Sequence, residues 1–250
     1  VHLLRQHGHQ VLVEPSARQG SGFSDEAYRH AGAEVVASKE EVFQRAELIV
    51  KVKEPQLSEC ALFRPGQVLF TYLHLASLPD LTKALMAAEV TAIAYETVEA
   101  RDHSLPMLRP MSEIAGRLAV QVGAHYLGTV QGGRGVLLAG VPGVLPGHVV
   151  VLGAGVVGTS AVRIAVGLGA QVTVINLDLD RLRVLDDLYG GRIATCAATE
   201  SAIERAVLQA DLVIGAVLVP GARAPRVISR SLVSKMQAGT VIVDVAVDQG

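Results

Sequence analysis

The chain has 250 residues, half of them hydrophobic, and a formal net charge of −2. This length accommodates one large or two medium domains, and the small net charge favours neither nucleic acid nor an anionic membrane as a partner. No apolar run reaches the roughly 20 residues that span a bilayer. The isolated Cys60 and Cys196 lack the spacing of a disulfide framework or a zinc site, so we expect free thiols in a reducing cytoplasm and no metal.

Both ends of the sequence have the character of interrupted elements. The first residue is Val1 rather than methionine, and it opens what reads as the last turns of a helix. A strand-like run at 240–247 stops just before the last residue. We therefore expect a chain that is truncated at both ends. The first residues also lack the basic and apolar regions of a signal peptide.

The first hundred residues alternate strand-like and helix-like segments. Strands are predicted at 10–14, 33–36, 48–53, 67–73 and 91–98, and helices at 1–6, 24–30, 38–46 and 79–89. Such alternation predicts a parallel sheet with helices on both faces. The polar, proline-bearing segment 99–110 indicates a domain boundary, and a long helix at 111–127 is expected to lie between the domains.

Residues 148–176 have the pattern of a dinucleotide site. A strand-like run leads into Gly153-Ala-Gly155-Val-Val-Gly158, which is followed by a helix-like segment and a second strand at 171–175. In such a motif the first glycine permits a tight turn, the second lets the backbone approach a pyrophosphate, and the third lets helix pack on strand. Ordinary turn glycines are the alternative, and the order of strand, turn, helix and strand argues against it.

Two further strands, at 211–217 and 240–247, continue the βα series after the glycine motif. We therefore predict an α/β fold with two Rossmann-like parallel-sheet domains joined by a long helix. The first domain is expected at 1–106 and the second, incomplete at its C-terminal end, at 107–250.

Ionisable residues follow several of the predicted strands. Lys53, His74 and Glu96 end strands of the first domain, and Asp248 ends the last strand of the second. Ligands of open α/β sheets lie beyond the carboxyl ends of the strands, so these residues are candidates for a shared site. Each has a plainer alternative. Lys53 could be a solvated lysine before a turn, His74 a hydrogen-bonded structural histidine, Glu96 a loop cap, and Asp248 a helix N-cap.

Seven segments together resemble the bacterial alanine dehydrogenase family, in the order in which that family has them. They are KVKEP (51–55), LFTYLHLA (69–76), IAYETV (93–98), MSEIAGR (111–117), GGRGVLLAGVPG (132–143), GAVLVPGARAP (215–225) and VDVAVDQG (243–250). The resemblance implies NAD-dependent oxidative deamination of L-alanine to pyruvate and ammonium, a cytoplasmic location and a homo-oligomer, a hexamer in the family. It also makes the first domain the substrate domain and the second the NAD-binding domain.

The resemblance also implies roles for the ionisable residues. Lys53 would bind the substrate carboxylate or carbonyl oxygen, and His74 would be the acid/base, a role that suits a side chain that ordinarily titrates near neutral pH. Asp248 would orient or relay a proton for the attacking water and the amine, and Glu96 would shape the same substrate pocket. The family's substrate-binding arginine falls in a motif upstream of Val1.

For the cofactor, the resemblance implies contacts spread over several elements. Ser112 would contact the phosphates, and the segment with Val217 and Leu218 would lie at the nicotinamide ribose. The remaining cofactor-binding candidates are Gly153, Gly155, Gly158, Asn176, Asp178 and Arg181. The family has Asp at position 176, and Asn does not repel a 2′-phosphate as a carboxylate would, so the choice between NAD and NADP stays open at this residue.

Two other functions are compatible with the motifs. One is the NAD(H)-binding subunit of a transhydrogenase, which shares the superfamily, and the other is a dinucleotide-binding protein without catalysis. The set Lys53, His74 and Asp248 favours the enzyme, because a pure binder has no need to retain all three together.

Overall fold

A computed structural model of the chain describes residues 1–17, 19–217 and 225–247. The chain divides into two compact units, Val1–Val98 and Glu99–Gly250, and each has its own hydrophobic core. All pairings between strands of the described ranges are parallel. The predicted α/β class with Rossmann-like parallel sheets is therefore confirmed. No helix within these ranges is long and apolar enough to cross a membrane.

The first unit alternates short strands and helices. Its strands are β1 (Leu12–Val13), β2 (Glu34–Val35), β3 (Leu48–Val50), β4 (Val68–Thr71) and β5 (Thr91–Ala94). Its helices are α1 (His2–Gln6), α2 (Asp25–His30), α3 (Lys39–Arg45), α4 (Leu57–Cys60) and α5 (Pro79–Ala87). In the part of the unit that is described, β1 and β2 form one pair and β3, β4 and β5 form a three-stranded sheet with β4 in the centre.

The core of the first unit forms around β4. Leu69 is fully buried there, and the rings of Phe43 and Phe63 meet edge to face with centroids 4.9 Å apart. The buried amide of Gln67, just before β4, donates to the carbonyl oxygens of Phe43 and Ala46 at 2.9 and 2.7 Å. Its oxygen accepts from the backbone of Arg64. These bonds satisfy the polar groups at the start of the central strand.

The second unit has the strand order of a dinucleotide-binding fold. Its strands are β6 (His148–Leu152), β7 (Gln171–Asn176), β8 (Ala194–Ala197), β9 (Leu212–Gly215) and β10 (Val241–Asp244). Its helices are α6 (Arg109–Tyr126), α7 (Val156–Gly167), α8 (Leu179–Tyr189), α9 (Glu200–Gln209) and α10 (Arg230–Val233). Among the described residues the sheet has five strands in the order β10-β9-β6-β7-β8, so the chain reverses direction across the sheet at β6.

Strand β6 is covered on both faces, which explains its unbroken apolar sequence. Val149 and Val151 pack into the cluster formed with α6 and α7, while Val150 and Leu152 pack into the cluster formed with α9. The four side chains are at most 2% exposed. The carboxyl end of β6, where the glycine motif begins, is thereby held in a rigid layer.

The long helix predicted at 111–127 is observed as α6, and it packs against α7, β9 and β10 of the second unit. Gly116 lies at its contact with α7. A Cβ atom at this position would overlap the carbonyl oxygen of Val157 and lie 2.8 Å from Cβ of Ser160. The two helices therefore touch backbone to backbone where α7 begins.

We predict that Gly116→Ala lowers the free energy of unfolding by about 1–3 kcal/mol, because the added methyl forces α6 and α7 apart. Gly167→Ala is the matched control, since Gly167 ends α7 and a Cβ there meets nothing within 4 Å. Urea denaturation of the purified proteins measures both. An unchanged urea midpoint for Gly116→Ala would show that moving the two helices apart does not lower the free energy of unfolding.

Candidate functional site

The glycine motif forms a tight turn between β6 and α7. Gly153 has φ of 105°, a left-handed value that favours glycine, and its N–H donates to the carbonyl oxygen of Ile175 at 2.8 Å. Gly155 is the N-cap of α7 in extended conformation, with no side-chain cap. The first N–H groups of α7 lack partners within the helix, and this makes the turn an anion-binding end.

The three glycines of the motif have different surroundings. A Cβ at Gly153 would lie 2.5 Å from the carbonyl oxygen of Ala216, and a Cβ at Gly158 would overlap the carbonyl oxygen of Gly153. At Gly155 the nearest atom would be Nη1 of Arg181, at 3.8 Å. Gly153 and Gly158 thus allow the packing of the turn, while Gly155 leaves an open backbone surface of the kind that a pyrophosphate requires.

Asn176, at the end of β7, is bound on both sides of its amide. Its Oδ1 accepts from the N–H of Ala154 in the glycine turn at 3.0 Å, and its Nδ2 donates to the carbonyl oxygen of Asp178 at 3.0 Å. Asp178 caps α8 by accepting from the N–H groups of Asp180 and Arg181. The side chains of Asp178 and Arg181 are more than half exposed, with Oδ2 and Nε 3.5 Å apart. Asn176, Asp178 and Arg181, the three candidate cofactor-binding residues between β7 and the first turn of α8, therefore lie next to one another.

A cavity of about 280 Å³ lies beyond the carboxyl ends of β6, β9 and β10. Val217 lines it together with Leu152, Gly215 and Asp244. Leu218, the neighbouring candidate, lies outside the described residues, as does Asp248. The predicted meeting of Asp248 with Lys53 and His74 accordingly stays a prediction.

Ser112 lies in the first turn of α6, which begins at Arg109 rather than at Met111. It precedes Gly116 by four residues, so both lie on one face of the helix, and Gly116 contacts the start of α7.

The first unit has two lysines in its KVK segment, and they differ in environment. Lys51 donates to both carboxylate oxygens of Glu59 at 2.7 and 2.6 Å. Burial opposes the ionisation of Glu59, but the hydrogen bonds from Lys51 and from the backbone of Gln56 outweigh it and lower the pKa of this carboxyl. Lys53 is 69% exposed, and its Nζ lies 3.4 Å from Glu54 Oε2 without a hydrogen bond. Lys53 is the lysine that is open to a ligand.

The strand predicted at 48–53 ends at Val50, and the one predicted at 67–73 ends at Thr71. The predicted ends were wrong, because the alternating pattern of apolar side chains continues beyond the last residues that pair in the sheet. The chain nevertheless stays alongside β4, since the N–H of Tyr72 donates to the carbonyl oxygen of Val52 at 3.4 Å. The buried hydroxyl of Thr71 donates to the carbonyl oxygen of Lys53 at 3.0 Å. The backbone of Lys53 therefore lies at the edge of the sheet where β4 ends.

His74 follows β4 in the left-handed conformation, with φ of 49° and ψ of 38°. This region is uncommon for a residue other than glycine. The ring stacks on Tyr72 with centroids 6.2 Å apart and planes 13° apart. Burial, with a smaller contribution from the charge of Glu96, raises the pKa of the Tyr72 phenol above its usual value. Within the described ranges, His74 Nδ1 is buried and has no hydrogen-bond partner.

Glu96 lies in a single 3₁₀ turn, Tyr95–Thr97, directly after β5, where the sequence predicted a continuing strand. It is 8% exposed, and its carboxylate accepts from the backbone N–H groups of Leu73 and His74. These are the contacts of an acid that caps a loop, the plainer alternative weighed from the sequence.

Sequence reasoning missed Tyr72 and Glu54. Tyr72 stacks on His74 and meets Tyr95 edge to face at 4.9 Å, and Glu54 is the neighbour of Lys53 in the ion pair. The signal for Tyr72 was its position two residues before His74, which places both on one side of an extended chain. In the described part of the chain, no three His, Cys, Asp or Glu side chains form a group that could hold a metal.

A parallel sheet with this strand order and an open glycine turn defines a dinucleotide-binding α/β protein. The comparisons with known proteins define the family. The "Alanine dehydrogenase/PNT, N-terminal domain" profile matches residues 1–115, and the "Alanine dehydrogenase/PNT, C-terminal domain" profile matches residues 119–250. The chain belongs to the alanine dehydrogenase/PNT family, and the resemblance seen in its motifs is confirmed. Membership of this family implies a nicotinamide dinucleotide as cofactor.

Curated relatives are similar along almost the whole chain. Alanine dehydrogenase of Methanococcus maripaludis is 55% identical over 97% of the chain, and alanine dehydrogenase of Bacillus subtilis is 55% identical over 99%. The chain spans 65% of the length of each of these relatives.

Two solved structures cover the full chain. An L-alanine dehydrogenase is 55% identical and superposes with a TM-score of 0.90 over 69% of its own length. The transhydrogenase from Sinorhizobium meliloti is 28% identical, with a TM-score of 0.81 over 73% of its length. The chain is thus more similar to the first of these two structures in both sequence and fold.

We predict that Gly155→Val weakens binding of a nicotinamide dinucleotide at least tenfold, because the isopropyl group occupies the open surface that the phosphates need. Because, among the described residues, the only atom within 4 Å of a Cβ at this position belongs to the exposed side chain of Arg181, the fold should lose no more than about 1 kcal/mol, the usual size of an N-cap effect. Fluorescence titration with NADH and thermal denaturation test the two statements. If the variant bound NADH with wild-type affinity, the phosphates of the dinucleotide would not bind at Gly155.

Proposed function

We propose that this chain, as part of its full-length protein, catalyses the NAD-dependent oxidative deamination of L-alanine. L-alanine, NAD⁺ and water give pyruvate, ammonium, NADH and a proton. The observation that carries the proposal is the exposed Lys53 next to β4, the strand that His74 follows, in a chain that also has an open glycine turn. The relatives named alanine dehydrogenase support the choice of substrate.

The reaction requires a cation for the substrate carboxylate and a group that moves protons at the reacting carbon. Lys53 supplies the cation, because its ammonium is exposed and, among the described residues, forms only the 3.4 Å ion pair with Glu54. His74 supplies the acid/base, since imidazole accepts and donates a proton near neutral pH. The dinucleotide, when bound, accepts the hydride. By the resemblance, Asp248 assists the proton transfer to water and amine.

The second unit would hold the cofactor along its carboxyl edge. The backbone of the glycine turn and Ser112 bind the phosphates in this proposal, and Val217 with Leu218 lies at the nicotinamide ribose. Asn176, Asp178 and Arg181 lie on the loop where the adenosine ribose binds in such folds. The choice of NAD over NADP rests on the family resemblance.

The remaining parts of the proposal concern domains and assembly. Residues 1–106 form the substrate domain and residues 107–250 the NAD-binding domain. The full-length enzyme is cytoplasmic and homo-oligomeric, with six subunits as the family resemblance implies. Light scattering of the full-length protein measures its mass, and a monomer would contradict this assembly.

The central experiment is an NADH-forming assay of the full-length protein with L-alanine, L-serine and glycine. We expect the highest kcat/KM with L-alanine. Hydride exchange between NADH and NADP without any amino acid would instead identify a transhydrogenase-like activity. Tight NADH binding with no turnover of any amino acid would identify a non-catalytic binder.

We predict that His74→Ala lowers kcat about 10²-fold or more, because it removes the acid/base, while NADH affinity stays within about twofold. Lys53→Ala should lower the turnover of L-alanine to a similar extent. Lys51→Ala is the comparison for charge, since Lys51 is paired with Glu59, and it should act on stability more than on turnover. A His74→Ala protein that unfolds early but turns over normally when folded would make His74 a core residue.

We predict that Asn176→Asp disfavours NADPH relative to NADH by about fivefold or more, because a carboxylate near a 2′-phosphate adds like-charge repulsion. Asn176→Ala is the control, since it removes the bonds to Ala154 and Asp178 without adding charge and should weaken both nucleotides alike. Fluorescence titrations with NADH and NADPH give the ratio of the two Kd values. An unchanged ratio in Asn176→Asp would show that position 176 does not read the ribose.

A further inference from the structure

We propose that Glu96 is a positioning residue for His74, and that its buried carboxylate fixes the backbone from which the imidazole extends. This inference rests on the proposed function, because it takes His74 as the acid/base. It differs from the role of a pocket-lining substrate group, since the carboxylate is turned towards the backbone of the loop after β4.

The hydrogen bonds of Glu96 are specific to the residues around the histidine. Oε1 accepts from the N–H of His74 at 2.6 Å and from the N–H of Leu73 at 3.1 Å. Oε2 accepts from the N–H of Leu73 at 3.2 Å. Leu73 is fully buried and Glu96 is 8% exposed, so water does not compete at this contact. Hydrogen bonds to an ionised acceptor in such surroundings are among the strong ones.

The loop needs this acceptor because the sheet no longer provides one. Strand β4 ends at Thr71 and β5 ends at Ala94. Tyr72 still donates to Val52, but the N–H groups of Leu73 and His74 have left the ladder. His74 is at the same time held in the left-handed region, with φ of 49°. An uncommon backbone conformation persists only where the surroundings fix it. The carboxylate of Glu96 does so from the end of the adjacent strand.

The direction of the imidazole depends on this backbone. Histidines that act as acid/base are commonly oriented by a hydrogen bond at the second ring nitrogen. Nδ1 of His74 has no such partner among the described residues, and it is buried. The ring is held by the stack on Tyr72 and by the backbone that Glu96 fixes. A change in that backbone therefore moves the imidazole directly.

The test compares two substitutions of Glu96 in the full-length protein. Glu96→Ala removes every acceptor, so we expect kcat to fall at least about tenfold, the cost of a misplaced group. Glu96→Gln keeps a carbonyl oxygen that can take the place of Oε1 and accept from both N–H groups, but its NH2 group replaces Oε2 and loses the 3.2 Å bond from Leu73, so we expect it to recover part of that loss. A carboxylate that bound substrate or carried the proton itself would make both variants equally inactive, and this would overturn the proposal.

Glu89→Gln is the matched control. Glu89 lies just before the other end of β5 and is exposed, so the same exchange of carboxylate for amide should leave kcat unchanged. NADH affinity should also stay within about twofold in all three variants, because the affected loop belongs to the first unit and the glycine turn to the second. A loss of NADH binding in Glu96→Gln would indicate general damage and would overturn the positioning role.

A double-mutant cycle with His74→Ala shows whether Glu96 acts through the histidine. In the His74→Ala background, Glu96→Ala should lower kcat by less than twofold, because the group that it positions is gone. Equal losses in both backgrounds would mean that Glu96 acts independently and would overturn the proposal. Where Glu96→Ala does not fold, Glu96→Gln alone still tests the proposal, since a Gln variant as inactive as His74→Ala would overturn it.

The cycle also separates this inference from the function on which it rests. A His74→Ala protein with full turnover would overturn the acid/base assignment, and the positioning role with it. If His74→Ala lowers kcat strongly while Glu96→Ala keeps full activity, the proposed function stands and the positioning role alone is overturned.

Discussion

Backbone groups that leave a parallel sheet at its carboxyl edge must find partners outside the ladder, and both candidate sites of this protein depend on that constraint. In the first unit, the carboxylate of Glu96 accepts from the loop after β4. In the second unit, the amide of Asn176 accepts from the glycine turn after β6. In each case a polar side chain from the end of the adjacent strand fixes the loop that carries the candidate residues.

The sequence was sufficient to predict those features that depend on local geometry. The turn at Gly153 and the close contact at Gly158 follow from the motif, because the left-handed φ of Gly153 is a local property and Gly158 contacts the carbonyl oxygen of Gly153 within the same turn. The ends of the strands could not be predicted in the same way. Residues 51–53 continue the alternation of β3, yet only the register with β4 decides where the ladder stops.

The contacts of the candidate site depended on longer separations. Glu96 meets Leu73 across 23 residues, and no pattern in either segment indicates which N–H groups its carboxylate accepts from. The two lysines of the KVK segment show the same limit. Only the fold brings Glu59 to Lys51 and leaves Lys53 exposed, although the two lysines are only two residues apart in the sequence.

The amide of Asn176 has a consequence for how such a protein can evolve. Because one side chain ties the glycine turn at Ala154 to the start of α8 at Asp178, these two loops cannot change independently. A lineage that exchanged the residue at position 176 would remove a hydrogen bond of the glycine turn in the same step. Compensating substitutions would then arise in the turn or at the first residues of α8. A change of cofactor preference would therefore be accompanied by two substitutions rather than one.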